Sequence, residues 1–155
     1  FLSYRPRSEK EIRDKLKGSS FAKASEGQGK AHIDKIINLV ITKLKEQNFV
    51  NDNEFTKWWI EQRTNFKKIS LRFIKMELRQ RGINDEIIES KFSDLKHEIV
   101  SDLDRAKQLV RVKIEKLKGL SKQEIYKKLG GFLARRGFDW DAIKESIDEL
   151  FKKRV

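Results

Sequence analysis

The chain has 155 residues, enough for one domain or a short array of small ones; with 37% apolar and 39% charged residues, its core must be thin and distributed. Against 24 Asp and Glu stand 36 Lys and Arg, a net charge of +12 that favours a polyanion or an acidic protein surface as partner. The absence of cysteine excludes disulfides and thiolate chemistry, and no apolar run approaches the roughly 20 residues of a membrane span.

Residues 1–7 form a short lead-in, where Pro6 disfavours helix at Arg5. Ser8 and Glu11 make a capping box directly ahead of Ile12 and Leu16 and open a first helix. The stretch 18–31 is small, polar and without apolar period, so a flexible loop is expected there. Its Gly29-Lys30 is not a phosphate-binding loop. Ala24 and Ala31 stand where that motif needs Gly and Ser or Thr, and no strand precedes it.

From Ile33 to Lys45 an amphipathic helix is expected, with Ile33, Ile36, Ile37, Val40 and Leu44 on its apolar face. Asp52 is expected to cap the following helix, in which Phe55 and Trp59 are core and Trp58 is partly exposed. Ser70 caps a central helix with Leu71, Ile74 and Leu78 on one face. Arg79 and Arg81 suit the negative end of its dipole, and Gly82 supplies a left-handed stop. Asn84 starts the next helix, with Asp85 and Glu86 in its first turn and Ile87, Ile88 and Phe92 as its apolar side. Ser101 to Lys118 reads as one long helix carrying Leu103, Ala106, Leu109 or Val110, Ile114 and Leu117. Ser121 and Glu124 form another capping box, Gly137 ends that helix, and Asp139 to Phe151 is the last one.

These elements echo one another. Leu78, Arg81, Gly82, Ile83 and Ile88 fall on Leu133, Arg136, Gly137, Phe138 and Ile143, while Ile12 and Leu16 sit opposite Ile74 and Leu78. Such self-similarity predicts three helical units stacked in one row, each burying one face against a neighbour.

Candidate chemistry is sparse. His32 and His97 are isolated, and no Ser/His/Asp or Cys/His arrangement can be assembled. Asp139, Asp141, Glu145, Asp148 and Glu149 resemble a magnesium cluster, but the first two stand where helix caps belong and the others are spaced to face outward. Neither an enzyme nor a metal or other cofactor is expected. What remains is cationic: Lys10, Arg13 and Lys17 in the first unit, Arg72, Lys75, Arg79 and Arg81 in the second, Lys127, Lys128, Arg135 and Arg136 in the third. Aligned along stacked units, they would form a strip able to follow a phosphate backbone or an acidic groove. The helix–Gly–helix pairs resemble helix-turn-helix geometry, but no helix carries a base-reading set of Asn, Gln and Arg.

Four blocks in order carry a family resemblance: Arg5-Pro-Arg7-Ser8 through Leu16, Phe49-Val-Asn-Asp52 through Phe55, Glu77 through Ile83, and Phe132 through Phe138. Together they resemble the RecX family of bacterial recombination regulators. The resemblance implies an all-α fold of three tandem three-helix repeats, stacked into an elongated, curved array and divided at 1–51, 52–100 and 101–155. It implies a non-catalytic protein that binds in the groove of the RecA–DNA filament and restrains filament extension, ATP hydrolysis and strand exchange; separately, the absence of cysteine suits a cytoplasmic location, and a monomer is expected. Weak binding of single- and double-stranded DNA through phosphates is also implied. The family's basic positions fall on Arg5, Arg7, Arg13, Arg79, Arg81, Arg135 and Arg136. Two features depart from the family pattern: the long stretch 18–31, and Ile69-Ser70 where a glycine usually precedes the central helix. The alternative is a non-specific nucleic-acid-binding helical protein without a RecA link.

Overall fold

The computed structural model describes residues 4–19, 23, 27 and 29–152; the rest of the expected loop over 18–31 lies outside the described residues. Among these residues there are eight α-helices and no strand. They are α1 (Glu9–Lys17), α2 (Lys30–Glu46), α3 (Asp52–Gln62), α4 (Leu71–Gln80), α5 (Asp85–Asp94), α6 (Asp102–Ile114), α7 (Lys122–Ala134) and α8 (Trp140–Lys152). A π-helical turn, Arg63–Lys67, follows α3 and ends at left-handed Lys68. The helix expected as one piece over 101–118 is α-helical to Ile114 and tightens into a 3-10 turn, Glu115–Leu117. The chain divides into two compact units, residues up to 60 with 77–93, and residues 61–76 with 94 onward.

In the first unit, Ile12, Ile37, Ile41, Val50, Phe55, Trp59, Ile60, Leu78, Ile83 and Ile88 are buried. Phe55 stacks on Trp59 at 5.7 Å between ring centroids. Along α2 the inward line runs through Ile37 and Ile41, so Val40, expected on that face, is instead 36% exposed. Its position is one helical step off the buried line, and the period permits either placement. Ser8 and Glu11 form the expected capping box: the Glu11 N–H donates to Ser8 Oγ at 3.2 Å, and the Ser8 N–H donates to the Glu11 carboxylate at 3.4 Å. Ser8 is itself buried, and its hydroxyl donates to the Arg81 carbonyl at 2.9 Å.

Asp52 departs from expectation. Asn51 caps α3, accepting the N–H groups of Asn53 at 3.0 Å and Glu54 at 3.3 Å. The Asp52 carboxylate reaches across and accepts the Glu9 N–H, in the first turn of α1, at 2.9 Å. An orphan donor at the start of one helix is thus satisfied by the first residue of another. Gly82 has φ +79, and a Cβ there would come within 2.7 Å of the Lys10 Cβ. The turn after α4 therefore approaches α1 as closely as only a glycine allows.

The second unit repeats these devices. Ser70 caps α4, accepting the Phe73 N–H at 3.2 Å, and its own N–H donates to the Arg136 carbonyl at 2.9 Å. Asp102, the first residue of α6, accepts the Leu71 N–H at 2.9 Å, as Asp52 does for Glu9. Gly137 has φ +83, and a side chain there would overlap the Phe73 ring. The core gathers Val110, Ile114, Ile125, Leu129, Leu133, Phe138, Ile143 and Ile147 where α6 packs against α7 and α8. Of the two candidates in α6, Val110 is the buried one and Leu109 lies at the margin.

Candidate functional site

Of the cations in the first unit that the sequence singled out, most have a partner within it. Arg5 makes a two-pronged contact with Glu11, at 3.1 and 2.9 Å, and lies 5.5 Å from the centre of the Trp58 ring. Arg81 meets the same carboxylate and sits 3.8 Å over Trp59, whose indole N–H donates to Glu77 at 2.9 Å. Lys10 donates to the Gln80 carbonyl at 3.1 Å, with Asp14 at 3.8 Å. Arg13 bonds to Glu9 at 3.0 Å and to Asn38 at 2.7 Å, Lys17 stands 3.8 Å from Asp34, and Arg79 bonds to Asp85 at 2.6 Å. Arg7 is half-buried and lines a hollow with Tyr4, Phe49 and Asn51.

Charge balance shows in the acids. Burial pushes the Glu11 carboxyl up, but the hydrogen bond and charge of Arg5 and the charge of Arg81 outweigh it and hold the group below the usual carboxylate range. A hydrogen bond from Lys45 leads in lowering Glu9, against its burial. At Asp52 and Asp102 burial wins, and both carboxyls are raised despite the amides they accept.

In the second unit the cations are less uniformly engaged. Arg105, which the sequence did not single out, is 3% exposed; it donates to the Ile69 carbonyl at 2.9 Å, with Asp102 at 3.8 Å. Burial lowers its guanidinium from the ordinary value. Arg136 donates to the Lys67 carbonyl at 2.7 Å and lies 4.6 Å over the Phe132 ring. Arg72 is exposed, 6.0 Å from the Phe73 ring, and Lys75 is half-buried on the same helix.

Lys127, Lys128 and Arg135 differ. All three are exposed, and among the described residues none stands within salt-bridge distance of a carboxylate. They converge on a hollow of about 610 Å³, lined also by Lys113, Leu117, Glu124, Gly131 and Phe132. Sequence reasoning missed Lys113. It lies on α6, away from the stripe on α7, and only the fold brings its ammonium to 5.1 Å from the centre of the Phe132 ring.

Two of the acidic residues near the C-terminus have local partners. Asp139 accepts the Ala142 N–H at 2.8 Å as a helix cap, and Glu149 pairs with Lys107 at 2.6 Å. Among the described residues, no group of three His, Cys, Asp or Glu side chains is placed to hold a metal ion, and no helix is long and apolar enough to cross a membrane.

Ser-capped helices, Arg-Gly turns and Asp clamps recurring in both units define an all-helical repeat protein with a strongly basic surface. Comparison with known proteins agrees: profiles described as the first, second and third three-helix domains of RecX match residues 1–23, 51–90 and 101–147. The Regulatory protein RecX of Prosthecochloris aestuarii is 32% identical, over 97% of this chain and 88% of that protein. That of Clostridioides difficile is 31% identical over 96% of this chain, which spans 64% of the relative's length. The crystal structure of RecX from Lactobacillus salivarius superposes with a TM-score of 0.66 at 26% identity, covering 96% of this chain and 88% of that one. The chain belongs to the RecX family of regulatory proteins.

Proposed function

We propose that this protein regulates RecA negatively, binding in the groove of the RecA–DNA filament and restraining filament extension, ATP hydrolysis and strand exchange. The observation that carries this reading is the match to all three RecX three-helix domains along the chain. The mechanism is steric and electrostatic: stacked helical repeats, read as 1–51, 52–100 and 101–155, occupy space that filament growth needs, and basic side chains fix them there. Lys127, Lys128, Arg135 and Arg72 are the cations best placed to meet a partner, because they are exposed and carry no ion pair among the described residues. Arg5, Lys10, Arg13, Arg79 and Arg81 already have carboxylate partners, and Arg136 is tied to a carbonyl. They would contribute field more than direct contacts. The protein acts as a monomer in the cytoplasm and binds DNA phosphates only weakly.

The test is RecA-catalysed ATP hydrolysis on single-stranded DNA. It falls as this protein is added; an unchanged rate at saturation overturns the proposal. The net charge of +12 also favours a second reading, non-specific nucleic-acid binding without RecA. Capture of RecA that survives nuclease digestion supports the first reading. Capture that vanishes with the DNA supports the second.

A further inference from the structure

We propose that the hollow between α6 and α7 is a seat for an acidic peptide segment of a protein partner, one that carries a single apolar anchor side chain. This inference rests on the reading of the chain as a regulator that docks on another protein, and it names the chemistry of the contact.

The hollow has two kinds of wall. Lys127 and Lys128 on α7, Arg135 just past its end and Lys113 on α6 line one space together, four cations in all. In the first unit Arg5, Arg13, Lys45 and Arg81 gather on the carboxylates of Glu9 and Glu11, whereas these four cations share one hollow with no carboxylate within salt-bridge distance among the described residues. Like charges gathered without counter-charge repel one another, and an anion relieves that repulsion. Glu124, the one carboxylate on the rim, supplies only part of it: the Ser121 hydroxyl and amide chiefly hold the group below the usual carboxylate range, and the Lys128 charge adds to them. The Glu124 carboxylate accepts from the Ser121 N–H at 2.9 Å and the Ser121 hydroxyl at 2.8 Å, which keep it at the start of α7.

Cations alone would suit a phosphate backbone equally well, and the floor decides between the two. Leu117 and Phe132 give the hollow an apolar base. A nucleic-acid strand would use such a base by stacking a nucleobase on an open ring face. Phe132 already carries the Lys113 ammonium at 5.1 Å and the Arg136 guanidinium at 4.6 Å over its ring. The remaining apolar surface suits a compact aliphatic or aromatic side chain, and a volume of about 610 Å³ leaves room for one with flanking carboxylates.

The experiment uses the full chain and a short fluorescent peptide of Asp and Glu with one central Leu, followed by anisotropy. The Leu peptide binds, and replacing its Leu by Ala weakens binding about tenfold, as expected for a buried anchor. The double variant Lys127→Ser with Lys128→Ser, at two exposed positions that leave the core intact, also weakens it about tenfold. An oligothymidylate of equal charge fails to displace the peptide. If the Ala peptide binds as tightly as the Leu peptide, no anchor is seated, and if the oligothymidylate displaces it, the hollow is a phosphate seat; either result overturns the inference. Absence of peptide binding alongside a falling RecA ATPase rate sinks this inference and leaves the RecA reading standing. Peptide binding without any effect on RecA does the reverse.

Discussion

The Arg136–Gly137 turn approaches α4 so closely that substituting Gly137 tests the construction of the second unit. Gly137→Ala introduces two costs. The backbone at φ +83 is left-handed, which costs an L-residue about 1 kcal/mol. The new methyl also overlaps the Phe73 ring, and displacing a packed ring costs about 1–3 kcal/mol. Gly119 separates these effects. Its φ is +89, yet a Cβ there meets nothing within 4 Å, so Gly119→Ala carries the backbone cost alone. Urea unfolding should therefore show Gly137→Ala losing roughly 2 kcal/mol more than Gly119→Ala, about 1 M in midpoint at an m-value near 2 kcal/mol/M. Adding Phe73→Ala to Gly137→Ala should recover the steric part, seen as coupling in a double-mutant cycle. If the two glycine variants lose the same amount within about 0.5 kcal/mol, the close approach does not matter energetically and the reasoning fails.

Other consequences are open to measurement. Asp102→Ala removes the cap on Leu71 and leaves the buried Arg105 without its carboxylate, so chemical denaturation should show a loss of about 2–4 kcal/mol. Asp52→Ala removes a cap with no buried arginine behind it and should cost only about 1 kcal/mol. Arg81→Ala strips the cation from Trp59 and one partner from Glu11; a loss of about 1–3 kcal/mol is expected, with polyanion affinity little changed. Glu11 is held below its ordinary value of 4.5, so its stabilising contribution is complete above that pH and disappears as pH falls through the lower folded value. The stability gap between wild type and Glu11→Gln should close on acidification; a gap that widens would refute the pairing with Arg5 and Arg81.

What the sequence revealed was local. Ser8 with Glu11 and Ser121 with Glu124 form capping boxes because each needs only a spacing of three along the chain. Gly82 and Gly137 were legible as left-handed stops, and Ile74, Leu78, Leu129 and Leu133 as buried faces. Partners distant in sequence were not legible. Asp52 stands directly before an apolar helix and so looks like its cap, whereas the amide it accepts belongs to Glu9, 43 positions earlier. The cations were visible as residue types, but their roles depend on carboxylates brought from elsewhere: Arg81 finds Glu11 across 70 positions. Basic stripes equivalent in sequence thus separate into cations that brace the first unit and cations that ring an open hollow. Lys113 joins the second group only through the fold.

In the proposed mechanism Lys127, Lys128 and Arg135 carry the contact with RecA. The most direct test compares wild type with the triple variant Lys127→Glu, Lys128→Glu, Arg135→Glu for inhibition of RecA ATP hydrolysis on single-stranded DNA, after circular dichroism has shown equal helicity. Wild type lowers the rate, and the triple variant leaves it near the uninhibited level. Equal inhibition by both proteins would contradict that mechanism.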